Sequence, residues 1–185
     1  MKFLNIKRIE KAKHICRYDL EYETEDKRIK KYEIVSRDRH LHSLEDLQSW
    51  SSKTVVIIAI NKENGKLLLN REFRMAAGDW IYNFPSGMID PGETPSQAAK
   101  RELEEETGYL AGKITFLRKT YTSCGYTNET QYFYLAENLY VTEQQPDPSE
   151  FIDVKEYSPQ EVMEMIADGT IDTSSAVIGL LDYFL

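Results

Sequence analysis

The chain has little of several features that would mark out whole classes of protein. It has two cysteines in 185 residues, too few for a disulfide scaffold, so reduced thiols and a cytoplasmic location are expected. No apolar run approaches the ~20 residues of a membrane span. The first residues carry scattered charge rather than the apolar block of a secretory signal. A globular protein with one main domain is therefore expected.

Positive charge is also scarce. Lys and Arg total 23 against 31 Asp and Glu, which gives a formal net charge of -8. Nucleic acids and anionic membranes bind clustered Lys and Arg, so the composition argues against both partners. Residues 87–109 contain six acidic and two basic side chains. Half of the acidic excess therefore lies in one short segment.

Hydrophobic periodicity predicts an N-terminal antiparallel hairpin followed by a larger domain. Residues 16–22 alternate apolar and polar side chains, as a strand with one solvated face does, and residues 29–35 would pair with it. The run TVVIIAI at 54–60 predicts a strand buried on both faces. Asn64-Gly65 after it predicts a type I′ hairpin turn. The polar stretch before this run, with a possible short helix at 44–50, predicts a boundary between regions 1–50 and 51–185.

Helix-capping signals complete the prediction of an α+β fold. The capping boxes at 94–97 and 158–161 each place proline at the first helical position, and glycine ends each helix, at Gly108 and Gly169. Further strands are predicted at 67–69, 81–84, 114–120 and 131–139, and a last helix at 173–184. Strands and helices are mixed without strict βαβ alternation, which favours α+β.

The helix predicted after residue 94 carries the most informative chemistry. Glu102, Glu105 and Glu106 lie at i, i+3 and i+4, so they share one helix face. They also lie near the negative, C-terminal end of the helix, where like charges destabilise it unless a cation binds. Carboxylate oxygens at this density suit Mg²⁺ or Mn²⁺. Arg101 could pair with Glu105 one turn away, and a solvated acidic helix face is the alternative.

The spacing of residues 87–109 resembles the Nudix box, G-x5-E-x7-R-E-U-x-E-E-x-G-U, where U is a bulky aliphatic residue. The matching residues are Gly87, Glu93, Arg101, Glu102, Leu103, Glu105, Glu106 and Gly108. Tyr109 stands at the last position in place of an aliphatic residue. The resemblance implies the Nudix fold, a mixed β-sheet sandwiched between helices. It also implies a hydrolase that acts on a nucleoside diphosphate linked to another moiety.

The resemblance implies roles for individual residues as well. The implied metal ligands are Glu102, Glu105, Glu106, the nearby Glu93 and the backbone carbonyl of Ser86. The implied catalytic residues are Glu105, Glu106, Arg101, which would orient the helix carboxylates, and Glu129. Glu129 lies in a loop after the box and would be the base or an extra metal ligand, with an ordinary surface-turn glutamate as the alternative.

Outside the box, the order of hairpin, NREFR, Pro-Ser-Gly turn and YTSCGYTNE resembles the ADP-ribose and nucleoside-diphosphate-sugar pyrophosphatases. This implies Arg74 near the substrate, with an ordinary strand-end arginine as the alternative. It also implies Tyr126 or Trp80 stacked on a base or sugar, with packing as the alternative for both aromatic residues. The chain departs from this group at Cys124, where proline is usual, and at Asn83, where glutamate is frequent.

The leading interpretation is Mg²⁺-dependent hydrolysis of ADP-ribose or a related nucleoside diphosphate sugar to a nucleoside monophosphate and a sugar phosphate. The alternatives are hydrolysis of a dinucleoside polyphosphate, NADH or a nucleoside triphosphate, and a non-catalytic module that senses nucleotide sugars. All four box carboxylates are retained, which favours an enzyme. Members of the group usually dimerise through their N-terminal strands, so the resemblance also implies a homodimer.

Overall fold

The structure, a computed structural model, describes residues 2–9, 14–49, 53–145 and 151–184. The chain divides into two compact units. The first comprises Met1–Lys53 with Thr120–Gln131, and the second comprises Thr54–Lys119 with Tyr132–Leu185. None of the helices in these described ranges is long and apolar enough to cross a membrane.

The first unit is built on a three-stranded antiparallel sheet in the order β1-β2-β3. Its elements are β1 (Lys2–Arg8), β2 (Cys16–Glu23), β3 (Ile29–Ser36) and the short helix α1 (Leu44–Gln48). Cys16, Tyr18 and Leu20 of β2 are buried, as the predicted alternation requires. The predicted hairpin is thus β2–β3. The strand β1 was not predicted, because its register shifts between Phe3 and Asn5 and breaks the two-residue period.

The segment Thr120–Gln131 belongs to this first unit. The Val35 amide donates to the Tyr126 carbonyl over 2.8 Å, and the Tyr32 hydroxyl donates to the Gly125 carbonyl. The Asn128 side chain donates to the Leu47 carbonyl over 3.4 Å. The division therefore differs from a simple cut after residue 50, and Trp50, at the end of the predicted helix 44–50, lies outside the described residues.

The second unit contains a seven-stranded sheet and three helices. Its strands are β4 (Lys53–Asn61), β5 (Lys66–Arg74), β6 (Asp79–Asn83), β7 (Ser86–Met88), β8 (Tyr109–Tyr121), β9 (Thr130–Val141) and β10 (Ile152–Tyr157). One or two terminal residues of β4, β8 and β9 fall within the first unit. Its helices are α2 (Pro95–Thr107), α3 (Pro159–Ala167) and α4 (Ser174–Phe184). The strand order is β10-β5-β4-β9-β8, with β6 beside β5 and β7 beside β4.

Strand β4 separates two hydrophobic cores. Val56 and Ile58 pack in one cluster with residues of α3 and α4, such as Val162 and Leu180. The alternate residues, of which Ile57 is central, pack in the other cluster with α2. The sheet is therefore sandwiched between helices, and the prediction of a strand buried on both faces is confirmed.

Two local predictions were wrong. The pairing of Asn61 with Lys66 leaves a four-residue connection, and Gly65 has a positive φ of 69° whereas Asn64 does not, so the turn is not type I′. The Asn64 side chain instead accepts the Lys66 amide over 3.0 Å, which favours the longer loop. The predicted Pro-Ser-Gly turn is replaced from Ser86 onward by β7, because β4 offers it a pairing edge.

Both predicted capping boxes are present, and the first of them fixes helix α2. The Thr94 hydroxyl accepts the Gln97 amide over 3.3 Å, and the Gln97 side chain accepts the Thr94 amide over 2.9 Å. Gly108 ends the helix in the left-handed conformation at φ 70°. The acidic helix therefore starts and ends where the sequence predicts.

Candidate active site

Helix α2 buries one side and presents its ionised side chains on another. Ala98, Ala99 and Leu103 are fully buried in the core that the helix shares with the sheet. The side chains of Arg101 and Glu105 remain accessible to solvent. The amphipathic pattern of the helix thus turns a charged row away from the core.

Arg101 is the centre of an ion-pair network on this helix. Its Nε and Nη2 donate to the two carboxylate oxygens of Glu93, each over 3.0 Å. Its Nη1 donates to Glu102 over 2.8 Å and to Glu105 over 3.0 Å. Its Nη2 also donates to the Met88 carbonyl over 2.9 Å. A single guanidinium therefore orders three carboxylates, including that of Glu105 one helical turn away.

The network shifts the pKa values of two of its members, Glu93 and Arg101. The hydrogen bonds from Arg101 hold the pKa of Glu93 below its ordinary value. The same bonds to Glu93, with further ones to Glu102 and Glu105, raise the pKa of the Arg101 guanidinium against the opposing effect of burial. The pair between Arg101 and Glu93 is therefore ionised at neutral pH.

Glu106 is held separately and is only 3% exposed. Its Oε2 accepts the Asn70 side-chain amide over 2.7 Å and the Ser86 backbone amide over 2.9 Å. A buried carboxylate requires such donors to offset its loss of hydration. Asn70 lies on β5 and Ser86 on β7, so two strands fix one helix carboxylate.

Sequence analysis missed Asn70 as a member of this site. Its one signal is that a polar residue directly follows the buried run Leu67–Leu69. Side chains alternate along a strand, so Asn70 shares a face with Leu68, which packs in the core beneath α2. The same alternation directs Asn70 toward Glu106.

Gly87 makes the close approach of β7 and α2 possible. A Cβ added there would overlap the carboxylate of Glu102. The absence of a side chain at Gly87 therefore gives the Glu102 carboxylate its place against the strand. The first glycine of the box thus has a steric role.

The donors around α2 fit a hydrated divalent cation. Four carboxylates lie in this region. Three of them pair with the Arg101 guanidinium, those of Glu93, Glu102 and Glu105, and the fourth, Glu106, lies on the same helix. In the part of the chain that the structure describes, no three His, Cys, Asp or Glu side chains form a ready ligand cluster. The buried Asn70 Oδ1 has no hydrogen-bond partner there. The carboxylate oxygens are hard donors, which suit Mg²⁺ or Mn²⁺, and these ions keep several water ligands.

Two of the residues predicted to bind substrate lie in the same unit as the carboxylates. Arg74 ends β5 and forms an ion pair with Glu72 at 2.9 Å. Trp80 is partly exposed on β6, and its ring packs edge-on against Phe73, with the guanidinium carbon of Arg71 4.8 Å from the ring centroid. Trp80 therefore has structural contacts of its own.

Tyr126 and Glu129 lie in the first unit. Glu129 accepts a hydrogen bond from Arg37 Nε over 3.2 Å, and Tyr126 is exposed. These three residues line a cavity of about 330 Å³. The predicted site residues therefore fall into two sets, one in each unit.

The two departures from the pyrophosphatase pattern have different surroundings. Asn83 Oδ1 accepts the Ser175 hydroxyl over 3.0 Å and the Phe84 amide over 3.0 Å, so this side chain fastens the start of α4. Cys124 is an exposed thiol beside a largely apolar cavity of about 480 Å³ in the first unit.

The chain is similar to several known proteins. Residues 51–176 match the NUDIX domain model. An ADP-ribose pyrophosphatase from Bacillus subtilis (strain 168) is 37% identical over 114 residues, which cover 60% of this chain and 61% of that protein. A methanol dehydrogenase activator from Bacillus methanolicus is 34% identical over 128 residues, which cover 68% of this chain and 69% of that protein.

A solved structure extends the likeness to the whole chain. The crystal structure of an ADP compounds hydrolase matches with a TM-score of 0.83, covering 99% of this chain and 92% of that chain. The sequence identity is 23%, so this match concerns the fold. It confirms the predicted sheet sandwiched between helices. The match to the ADP-ribose pyrophosphatase spans less than two thirds of that protein's length.

Proposed function

The chain belongs to the Nudix domain family, and from this we propose that it hydrolyses the diphosphate bond of ADP-ribose or a related nucleoside diphosphate sugar with Mg²⁺ or Mn²⁺. The products would be a nucleoside monophosphate and a sugar phosphate. The name of the ADP-ribose pyrophosphatase relative supports this substrate class.

The observation that carries the proposal is the carboxylate network around Arg101. Three carboxylates converge on its guanidinium, and Glu106 lies on the same helix with its own donors. A diphosphate is anionic, and this negative charge would repel it. A divalent cation inverts the local charge and lets the phosphates approach. A purely solvated acidic surface would not require Glu106 to be buried and bonded to two strands.

Each residue has a role in the proposed reaction. Glu102, Glu105 and Glu106 would hold the cation together with the Ser86 carbonyl, and Glu93 would lie close to it. When bound, the metal polarises phosphoryl oxygens and lowers the pKa of an attacking water. Arg101 would keep the helix carboxylates oriented. Arg74, Trp80 and Tyr126 would contact the substrate, and Glu129 would accept a proton from the water at its carboxylate.

The proposal includes a homodimer and a cytoplasmic location. Region 1–50 would serve dimerisation and region 51–185 catalysis. Strand β3 is at the edge of its sheet, and while Val35 near its end bonds to the 120–131 segment, its first residue Ile29 is exposed, which supports pairing of this part of the edge with a partner. A single monomeric mass by light scattering across micromolar concentrations would contradict the dimer.

A substrate panel tests the proposed activity. Purified protein with Mg²⁺ or Mn²⁺ is incubated with ADP-ribose, nucleotide sugars, NADH, diadenosine polyphosphates and nucleoside triphosphates, and products are separated by chromatography. We expect ADP-ribose or a nucleotide sugar to give the highest kcat/KM. Hydrolysis of none of these compounds would refute the enzyme and favour a sensing module.

A matched pair of variants ties the activity to the acidic helix. Glu106→Gln should lower kcat on the order of 100-fold or more, because losing even an outer-shell partner of a metal site costs 10–100-fold. Glu104→Gln, on the same helix but outside the bonded set, should keep near-full activity. Equal activity in both variants would refute the role of Glu106.

A further inference from the structure

We propose that Asn70 is a positioning residue that fixes the Glu106 carboxylate for metal binding. The inference rests on the proposed function, since it gives Glu106 the role of metal ligand. It adds a residue outside the box, on β5, to the set that determines the affinity for the cation.

The geometry around Glu106 supports this role. Asn70 is 3% exposed, and its Nδ2 donates to Glu106 Oε2 over 2.7 Å. The Ser86 amide donates to the same oxygen over 2.9 Å. Two donors that reach one oxygen from different strands restrict the rotation of the carboxylate. A glutamate has three rotatable side-chain bonds, and ordering them in advance removes an entropy cost from binding.

Packing alone does not explain an amide at this position. The three residues before Asn70 are buried leucines, and its neighbour across the strand pair β5–β10 is Val154. An apolar side chain would continue the core beneath α2. Asn70 instead keeps a buried Oδ1 without a hydrogen-bond partner in the described ranges, which costs stability. The side-chain nitrogen of Asn70 explains why an amide stands at this position, because it holds the Glu106 carboxylate.

The chain offers a matched control in the same unit. Asn61 Nδ2 donates to the Glu156 carboxylate over 2.8 Å, so it forms the same kind of bond away from α2. Glu156 is on β10 and has no part in the acidic network. Replacing Asn61 therefore removes an asparagine–carboxylate bond without touching the proposed ligands.

The test measures Mn²⁺ binding to the substrate-free protein by electron paramagnetic resonance titration. We expect Asn70→Leu and Asn70→Ser each to weaken Mn²⁺ binding about 10–100-fold, the range for partners that orient a metal ligand. Asn61→Leu should stay within about twofold of wild type, since such a site lies outside the ligand shell. In the hydrolysis assay, the Mg²⁺ concentration for half-maximal rate should rise in the Asn70 variants and stay constant in Asn61→Leu.

The outcomes separate the inference from the proposed function. Wild-type Mn²⁺ affinity in folded Asn70 variants would overturn the inference alone, as would an equal loss in Asn61→Leu. Failure of both Asn70 variants to fold, judged by circular dichroism, would also overturn it, because Asn70 would then be structural. If wild type and Glu106→Gln bind Mn²⁺ equally, the proposed metal site itself fails and the inference fails with it.

Discussion

Arg101 and Glu93 are joined by two parallel hydrogen bonds of 3.0 Å each, from Nε and Nη2 to the two oxygens of one carboxylate. Glu93 comes directly before the helix cap Thr94, and Arg101 lies on the second turn of α2. The pair therefore ties the loop before the helix to the helix itself. The remaining nitrogen of the guanidinium, Nη1, orders Glu102 and Glu105.

Arg101→Lys tests the importance of this planar geometry. Lysine keeps the positive charge but cannot form two parallel bonds to one carboxylate while contacting two others. We expect unfolding free energy to fall by about 1.5–3 kcal/mol, the typical value of a hydrogen bond to a charged group. We also expect kcat/KM to fall at least about tenfold, as for other groups that orient metal ligands. Urea unfolding and steady-state assays measure both, and an unchanged kcat/KM would show that charge alone suffices.

The Glu93 pair predicts a pH-dependent stability. The pKa of Glu93 in the folded protein lies below 4.5, its ordinary value. As the solution is acidified, Glu93 is therefore protonated in the unfolded chain before it is protonated in the folded protein, which favours unfolding. The stabilisation is complete above pH 4.5 and is lost as pH falls through the lowered pKa. Urea unfolding of wild type and Glu93→Gln should therefore differ most at neutral pH and converge in acid. A difference that stays constant with pH would contradict the ion pair.

Gly87→Ala tests whether the missing side chain at Gly87 makes room for the Glu102 carboxylate. The backbone of Gly87 does not need the left-handed conformation, so alanine should leave stability nearly unchanged while displacing the Glu102 carboxylate. Activity and metal affinity should fall at least about tenfold, as expected for a misplaced ligand. Gly169→Ala is the converse control, because its φ is 83° and a Cβ there meets nothing within 4 Å. Gly169→Ala should lower the free energy of unfolding by about 1–2 kcal/mol and leave kcat unchanged. Full activity in Gly87→Ala, or a loss of kcat in Gly169→Ala, would refute the prediction.

Glu129→Gln tests the proposed base. The substitution keeps the size of the side chain but removes the proton acceptor, so we expect kcat to fall about 100-fold or more, in the range for general bases. Glu63→Gln, at an exposed glutamate in the β4–β5 connection, should keep full activity. Equal rates in the two variants would identify Glu129 as an ordinary surface glutamate that pairs with Arg37.

The parts of the fold that depend on local signals could be predicted from the sequence. The alternation in β2, the apolar run in β4 and the two capping boxes each act over a few residues, and all four are present. Strand β1 was missed because its shifted register breaks the two-residue period. Strands β7 and β10 were missed because each is defined by the edge it joins rather than by its own composition. Pairing partners distant in sequence leave no periodic signal.

Prediction of the site from the sequence has the same limit, because only its local contacts leave a pattern. The spacing within one helix was enough to suggest the contact of Arg101 with Glu105. The bond from Asn70 to Glu106 joins residues 36 positions apart, and no local pattern encodes it. The site roles of Glu129 and Tyr126 stay predictions, since these residues lie in the first unit and the acidic helix lies in the second.

The assignment of Thr120–Gln131 to the first unit has a consequence for evolution and engineering. A chain trimmed to begin at residue 51 would keep the whole acidic helix, yet its 120–131 loop would lose the Val35, Tyr32 and Arg37 bonds described above. The N-terminal sheet is therefore not a detachable module. Recombination between relatives that exchanges this sheet without the loop would therefore leave these contacts to residues that were not matched to each other.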